Sequence, residues 1–315
     1  MNVAPLFDDI ADGPVGGRAA WLDTADGLKI RVGHWPAADA KGTVLIFPGR
    51  TEFIEKYGTT AKDLVAYGFA CVAVDWRGQG IADRMLANRA IGHVGNFADY
   101  QHDVAAVMAH VSSLDLPRPY FLIAHSMGGC IGLNALMNGL DVQAAMFSAP
   151  MWGIQMSVAL RPFAWGLSTV SMPLGFDHAL APGQFEQPYV LRSDFDSNTL
   201  TNDPDMFETL RTQLRAHPDL ALGGPSLRWV NTSLREMHRL SLLAAPDVPC
   251  LTFLGGDEAI VDPGRIKERM HHWPGGALHL IAGGRHELLM DTPKVRTSVI
   301  EQTATHFDAN LARAA

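Results

Sequence analysis

The chain has 315 residues, 47% of them hydrophobic and 18% charged, enough to bury a large core in one domain or a domain with an insertion. A net charge of −8 excludes the basic footprint of nucleic-acid binding, so no nucleic-acid partner is expected. No run reaches the roughly eighteen apolar residues of a membrane-spanning helix, because Arg161, Pro162 and Pro173 interrupt the greasiest region, 151–175.

The first residues, MNVAPLFDDIADGPVGG, lack the basic and long apolar stretches of a secretory signal. Cys71 and Cys250 lie in apolar runs, and Cys130 follows a Ser-Met-Gly-Gly turn. Three such cysteines point to reduced thiols and a cytoplasmic setting. Short apolar runs predict strands at 18–23, 28–35, 43–48, 70–75, 120–125, 144–148, 249–255 and 277–282. Between them lie segments of helical period. In 96–112, Phe97, Tyr100, Val104, Val107, Met108 and Val111 share a face, and Val295, Val299, Phe307 and Leu311 do so in the last helix. That last helix has Thr292 as its expected N-cap and Pro293 at its first position. The helices after 53 and after 126 are expected to end near Gly68 and Gly139. The alternation predicts an α/β fold, a mostly parallel eight-stranded sheet with helices on both faces. From 151 to 245 the rhythm breaks into helical pieces, PDMFETLRTQLRAHPDL and PSLRWVNTSLREMHRL being the clearest. This reads as a helical cap, 151–245, inserted into a core formed by 1–150 and 246–315.

FLIAHSMGGCIG, 121–132, passes from a strand into a turn that nearly spells G-x-S-x-G, the pattern that holds a serine out on a strained strand-to-helix elbow. Ala124 stands where the first glycine would be. The position needs a small residue rather than glycine itself, so Ser126 is the expected nucleophile. A serine hydroxyl needs a base and an orienting acid, which follow on this architecture in the order Ser, Asp or Glu, His. GGDEAIVD follows the seventh predicted strand and GGRHELLMD the eighth, giving His286 as base and either Asp257 or Glu258 as acid. Asp262 is expected to cap the helix beginning at Pro263. An oxyanion hole needs two donors, the Met127 N–H after the nucleophile and one from the third strand's loop, FPGRTEFIEKY, where Arg50 is in place. The Arg50 side chain is placed to meet an anionic head group, or to pair with Glu52 and brace the loop. DWRGQG, 75–80, lacks dinucleotide spacing, so Asp75, Arg77, Gly78 and Gly80 are read as structural. His271 and His272 are adjacent and make a poor metal pair. No metal and no cofactor are expected.

FPGRTEFIEKY, VDWRGQGIADR, AHSMGG, FSAP, LGGPSLRWV, EAIVD and GGRHELLMD stand in the order and spacing of bacterial lysophospholipases among the monoacylglycerol lipase-like α/β-hydrolases. The chain resembles that family from about 20 to 310. The resemblance implies Ser126 as nucleophile, His286 as base and Glu258 at the acid position, with Arg50 and Met127 at the oxyanion hole. It departs from the wider pattern at Ala124 for Gly, Pro48 for His and Glu258 for Asp. It implies hydrolysis of single-chain lipid esters, lysophospholipids or monoacylglycerols, through an acyl-enzyme. Met151, Trp152, Ile154, Met156, Leu160, Phe163, Trp165 and Leu167 are the expected lining of an apolar tunnel, and the cap is expected to touch a membrane surface peripherally. Two other readings share the fold. One is an aminopeptidase of the proline-iminopeptidase kind, whose amine site would draw on Asp194, Asp196, Asp203 or Asp205; the other is a non-catalytic ligand receptor.

Overall fold

The computed structural model describes residues 2–157 and 159–311. The eight runs read as strands pair into one sheet: β2 (Arg18–Asp23), β3 (Lys29–Trp35), β4 (Thr43–Phe47), β5 (Ala70–Asp75), β6 (Tyr120–His125), β7 (Ala144–Ser148), β8 (Cys250–Gly255) and β9 (Gly276–Ile281). The expected count of eight is corrected to nine by β1 (Asn2–Ala4), which pairs antiparallel with β2 at the sheet edge. Three residues carry too little alternation to be read as a strand, and backbone pairing to β2 makes this one. The order is β1-β2-β3-β5-β4-β6-β7-β8-β9, antiparallel as far as the β3–β5 pair and parallel from there on.

Side chains alternate across the central strands. Leu45, Phe47, Leu122 and Ala124 face one core, which is completed by α3 (Tyr100–Ser113) and α4 (Met127–Met137). Val44, Ile46, Phe121 and Ile123 face the other, under α2 (Gly58–Ala66) and α10 (Pro293–Asp308). Here α1 is the short turn Asp8–Ala11. Gly68 and Gly139 follow the ends of α2 and α4 at φ +81° and +84°, the left-handed geometry that closes a helix. Pro293 opens α10 as expected, but the Thr292 side chain makes no capping hydrogen bond.

Between β7 and β8 the chain forms α5 (Leu160–Ser171), α6 (Tyr189–Arg192), α7 (Pro204–Ala216) and α8 (Leu227–Ser241), with no strand among the described residues. α9 (Pro263–His271) then starts from Asp262, whose carboxylate accepts from the Gly264 and Arg265 N–H groups at 2.9 and 3.3 Å. No helix of the described residues is long and apolar enough to cross a membrane. All three cysteines are buried and free.

The DWRGQG turn is held by buried charge. Asp75 accepts from Arg31 Nε at 2.7 Å and from the Ile54 and Ile81 N–H groups, while both terminal nitrogens of Arg31 reach Glu55 at 2.7 Å. Arg77 is clamped between Asp103 and Asp26. Removing one member of such a cluster leaves an uncompensated buried charge, which costs about 3–5 kcal/mol. Arg31→Met is therefore expected to lower unfolding stability by that amount in a urea titration. A loss under about 1 kcal/mol would mean that Glu55 and Asp75 need no cation.

Candidate active site

Three strand ends and the loops beyond them build the site. β6 runs into Ser126, which sits at φ 49° and ψ −117°, a strained backbone on which α4 immediately begins. Its N–H donates to Ser148 O, and its carbonyl accepts from the Gly129 and Met151 N–H groups. The turn is tight enough to exclude side chains: a Cβ on Gly128 would lie 2.0 Å from Phe47 O, and one on Gly129 2.5 Å from Pro150. Gly132 faces Ala124, and a Cβ there would lie 3.2 Å from the Ala124 methyl.

His286, in the loop after β9, places Nε2 2.9 Å from Ser126 Oγ and Nδ1 2.8 Å from Glu258 Oε2. The other carboxylate oxygen, Glu258 Oε1, accepts from the Ile260 and Val261 N–H groups at 2.7 and 3.1 Å. Burial opposes ionisation of Glu258, but the bond to His286 and the two backbone donors outweigh it and hold its carboxyl below the ordinary range. Asp257 is exposed and makes no bond to His286. The structure brings Ser126, His286 and Glu258 together and leaves Asp257 outside.

Arg50 follows Pro48 and Gly49 after β4. Around it the backbone groups are held: Glu52 accepts from the Gly49 N–H, Gln79 Nε2 donates to Gly49 O at 3.0 Å, and Gln79 Oε1 accepts from the Thr51 N–H at 2.8 Å. Thr51 is fixed at φ +68°. The Arg50 N–H, in the middle, has no acceptor among the described residues. Met127 opens α4, where helical N–H groups lack intrahelical partners. Gln79 belongs to DWRGQG, so that motif also clamps the loop, a contact that its glycine spacing alone does not reveal.

Beneath these residues lies a buried ionic cluster. Lys56 bridges Glu52 and Glu287, with both Glu287 oxygens at 2.8 Å from Nζ, and Tyr57 donates to Glu52 at 2.6 Å. His125, the residue before the nucleophile, turns Nδ1 to Ser148 O at 3.0 Å and Nε2 toward Glu287 and Glu52 at 3.4 and 3.5 Å. Both ring nitrogens thus face acceptors. Burial works against the imidazolium, but the two carboxylates outweigh it and raise the pKa above the ordinary value. Glu287 is pushed up by burial and pulled down further by Lys56 and His125, so it stays ionised. Glu52, His125 and Glu287 converge closely enough for a cation, but the Lys56 ammonium already fills that role. The cluster does not fit a metal. The expected Glu52–Arg50 pair is corrected here: Glu52 is taken by Gly49, Lys56 and Tyr57 instead. The i, i+4 spacing of Glu52 and Lys56, and Glu287 beside His286, were the available sequence signals.

Two cavities meet at Ser126, sharing also Arg50, Gln184 and Ile260. One, of about 410 Å³, is walled by Met151, Ile154, Met156, Leu160, Phe163 and Leu167 on one side. Trp152 and Trp165 are not in it: Trp152 stacks on Trp273 in the core, and Trp165 meets His238 edge-on. The other, of about 300 Å³, is more polar and includes Tyr189, Thr199 and the buried ionic cluster. Because Gln79 holds both flanks of Arg50, Gln79→Ala is expected to lower kcat for ester hydrolysis about 10-fold or more with little change in KM, part of the 10²–10³ that a lost oxyanion donor costs. An unchanged kcat in steady-state assays would remove Gln79 from the site.

The family described as serine aminopeptidase, S33 (Hydrolase_4) matches residues 38–293. The chain is 29% identical to lysophospholipase L2 of Escherichia coli K12, over 90% of this chain and 85% of that one. It is 24% identical to the monoglyceride lipase of Rattus norvegicus, over 92% and 90%. A soluble variant of the monoglyceride lipase from Saccharomyces cerevisiae, solved with a substrate analogue, superposes with a TM-score of 0.72 at 20% identity, over 92% of this chain and 94% of that one. With the sheet order, the elbow and this match in hand, the chain belongs to the Hydrolase_4 family of α/β-hydrolases.

Proposed function

We propose that the protein is a serine ester hydrolase acting on single-chain lipids, lysophospholipids or monoacylglycerols, with segment 151–245 as its cap. The observation that carries this reading is the junction at Ser126 of a strongly apolar lobe and a second lobe that mixes apolar walls with Tyr189, Thr199 and charged groups. An acyl chain gains about 0.8 kcal/mol for each methylene it buries, which the Met, Leu and Phe walls supply. The hydrophilic remainder of the lipid faces Tyr189, Thr199 and Gln184. The relatives named lysophospholipase and monoglyceride lipase support the same substrate class.

In this mechanism His286 Nε2 takes the Ser126 proton as Oγ attacks the ester carbonyl. Glu258 keeps Nδ1 protonated and steadies the imidazolium that forms. The Arg50 and Met127 N–H groups take the developing oxyanion. The imidazolium then protonates the departing alcohol, leaving the acyl chain on Ser126. A water molecule, deprotonated by His286, attacks the acyl-enzyme and releases the fatty acid.

Cleavage of amine-terminal peptides is not favoured. Asp194, Asp196 and Asp205 are exposed, Asp203 caps α7, and none of the four lines either lobe. Leu160, Phe163, Val170, Leu174 and Phe185 stand exposed on the cap, an apolar rim suited to peripheral contact with a membrane.

Fatty-acid release from lysophosphatidylcholine and monooleoylglycerol tests the reading. Wild type is expected to release acid from at least one, and Ser126→Ala to lose at least 10³-fold in kcat, on the scale seen when a triad member is removed. A wild type that cleaves only a short p-nitrophenyl ester would keep the mechanism and remove the lipid. Failure of a fluorophosphonate to label Ser126 would favour a receptor. Ser126→Ala is also expected to float with phospholipid vesicles on a density gradient, and protein left at the bottom would end the membrane proposal.

A further inference from the structure

Arg50 offers more than its backbone. Arg50 lies in the wall shared by both lobes at Ser126. Nη1 donates to Gly223 O at 2.8 Å, and the guanidinium carbon stands 5.6 Å from the centre of the Trp229 ring. Glycines make this seat. A Cβ on Gly92 would come within 2.9 Å of Nη1, and Gly92 is itself tied to Gly224 by a backbone hydrogen bond.

No carboxylate pairs with Arg50 among the described residues. Its natural partner in sequence, Glu52, is committed to Lys56, Tyr57 and the Gly49 N–H. The carboxylates near the lobes are already engaged, since Glu52 and Glu287 both pair with Lys56. Burial draws the Arg50 pKa down to about 10, which leaves it cationic at neutral pH. A desolvated cation without an anion is costly to hold, and a substrate anion would offset that cost.

We propose that the Arg50 guanidinium is the subsite for the phosphodiester of a lysophospholipid head group, so that one residue serves the ester through its N–H and the phosphate through its side chain. A glycerol backbone separates ester from phosphate in such a lipid, a span comparable with an arginine side chain. Planar guanidinium donors suit phosphate oxygens, and Gly223 occupies only one terminal nitrogen. A monoacylglycerol has nothing to offer this cation. The inference rests on the lipid-hydrolase reading and goes beyond it by choosing between the two head-group classes.

The test compares kcat/KM on 1-oleoyl lysophosphatidylglycerol and on 1-oleoylglycerol, in the same detergent micelles, for wild type, Arg50→Met and Arg50→Lys. The phospholipid-to-glyceride ratio is expected to fall about 10- to 100-fold in Arg50→Met, as for a lost charged hydrogen bond, and to be partly retained in Arg50→Lys. An equal loss on both lipids would show that the side chain only braces the loop through Gly223, and would overturn the proposal. Should wild type cleave neither lipid, the lipid reading fails by itself, and the subsite is read from inhibition of p-nitrophenyl butyrate hydrolysis by glycerol 3-phosphate. Competitive inhibition of wild type that weakens about 10-fold or more in Arg50→Met upholds an anion subsite for free phosphate esters and overturns the lipid head group as its occupant. Inhibition equal in the two proteins, or absent from both, overturns the subsite altogether.

Discussion

Lys56 ties together pieces of chain that come from distant parts of the sequence, with a third piece lying against them. Its ammonium lies between Glu52, on the loop after β4, and Glu287, on the loop after β9, while His125 at the end of β6 faces the same two carboxylates. Those pieces carry Arg50, His286 and Ser126 respectively. A buried ion pair adds little net stability, because desolvation offsets most of the attraction. What it adds here is registry. Each carboxylate has a geometry that satisfies its donors, and departing from it leaves a largely buried charge unpaired. The loop after β4 and the loop after β9 are therefore positioned by the same cation.

The parallel half of the sheet explains why such distant pieces meet. β4, β6, β7, β8 and β9 run the same way, so the loops after them emerge along one edge, where sites on open α/β sheets gather. The elbow at Ser126 adds a local constraint. Gly128 and Gly129 admit Phe47 O and Pro150 at distances no side chain would allow, and so lock the nucleophile turn against the end of β4 and the segment after β7. The strain at Ser126 is sustained by close packing on both sides rather than by any property of serine.

Much of this was legible in the sequence, for identifiable reasons. Strands such as VLIF and FLIA are apolar on both faces, as expected of a central strand covered on each side, and they were found within a residue or so. β1 was not, since NVA contains no pattern and exists only as an addition to β2. Ser126 and His286 stood out through their order along the chain. Asp257 and Glu258 could not be separated by residue type, because either carboxylate can orient an imidazole. The difference lies in the backbone: the N–H groups of Ile260 and Val261 turn back onto Glu258, and Asp257 is left on the outside of the same turn. Gln79 was hidden for another reason. It acts across 28 and 30 residues on Thr51 and Gly49, a contact with no local signature.

Glu52 shows how a single pairing decides the character of a cleft. Near Arg50 in sequence, it has the charge to neutralise that guanidinium, and had it done so the pocket would hold no free cation. The fold directs it instead to the Gly49 N–H, Tyr57 and Lys56, where it braces the loop after β4. Arg50 then extends past Trp229 to the Gly223 carbonyl, with terminal donors to spare and no opposing charge. The same choice therefore has two consequences. It fixes the backbone beside Arg50, and it leaves the Arg50 side chain without a carboxylate partner among the described residues.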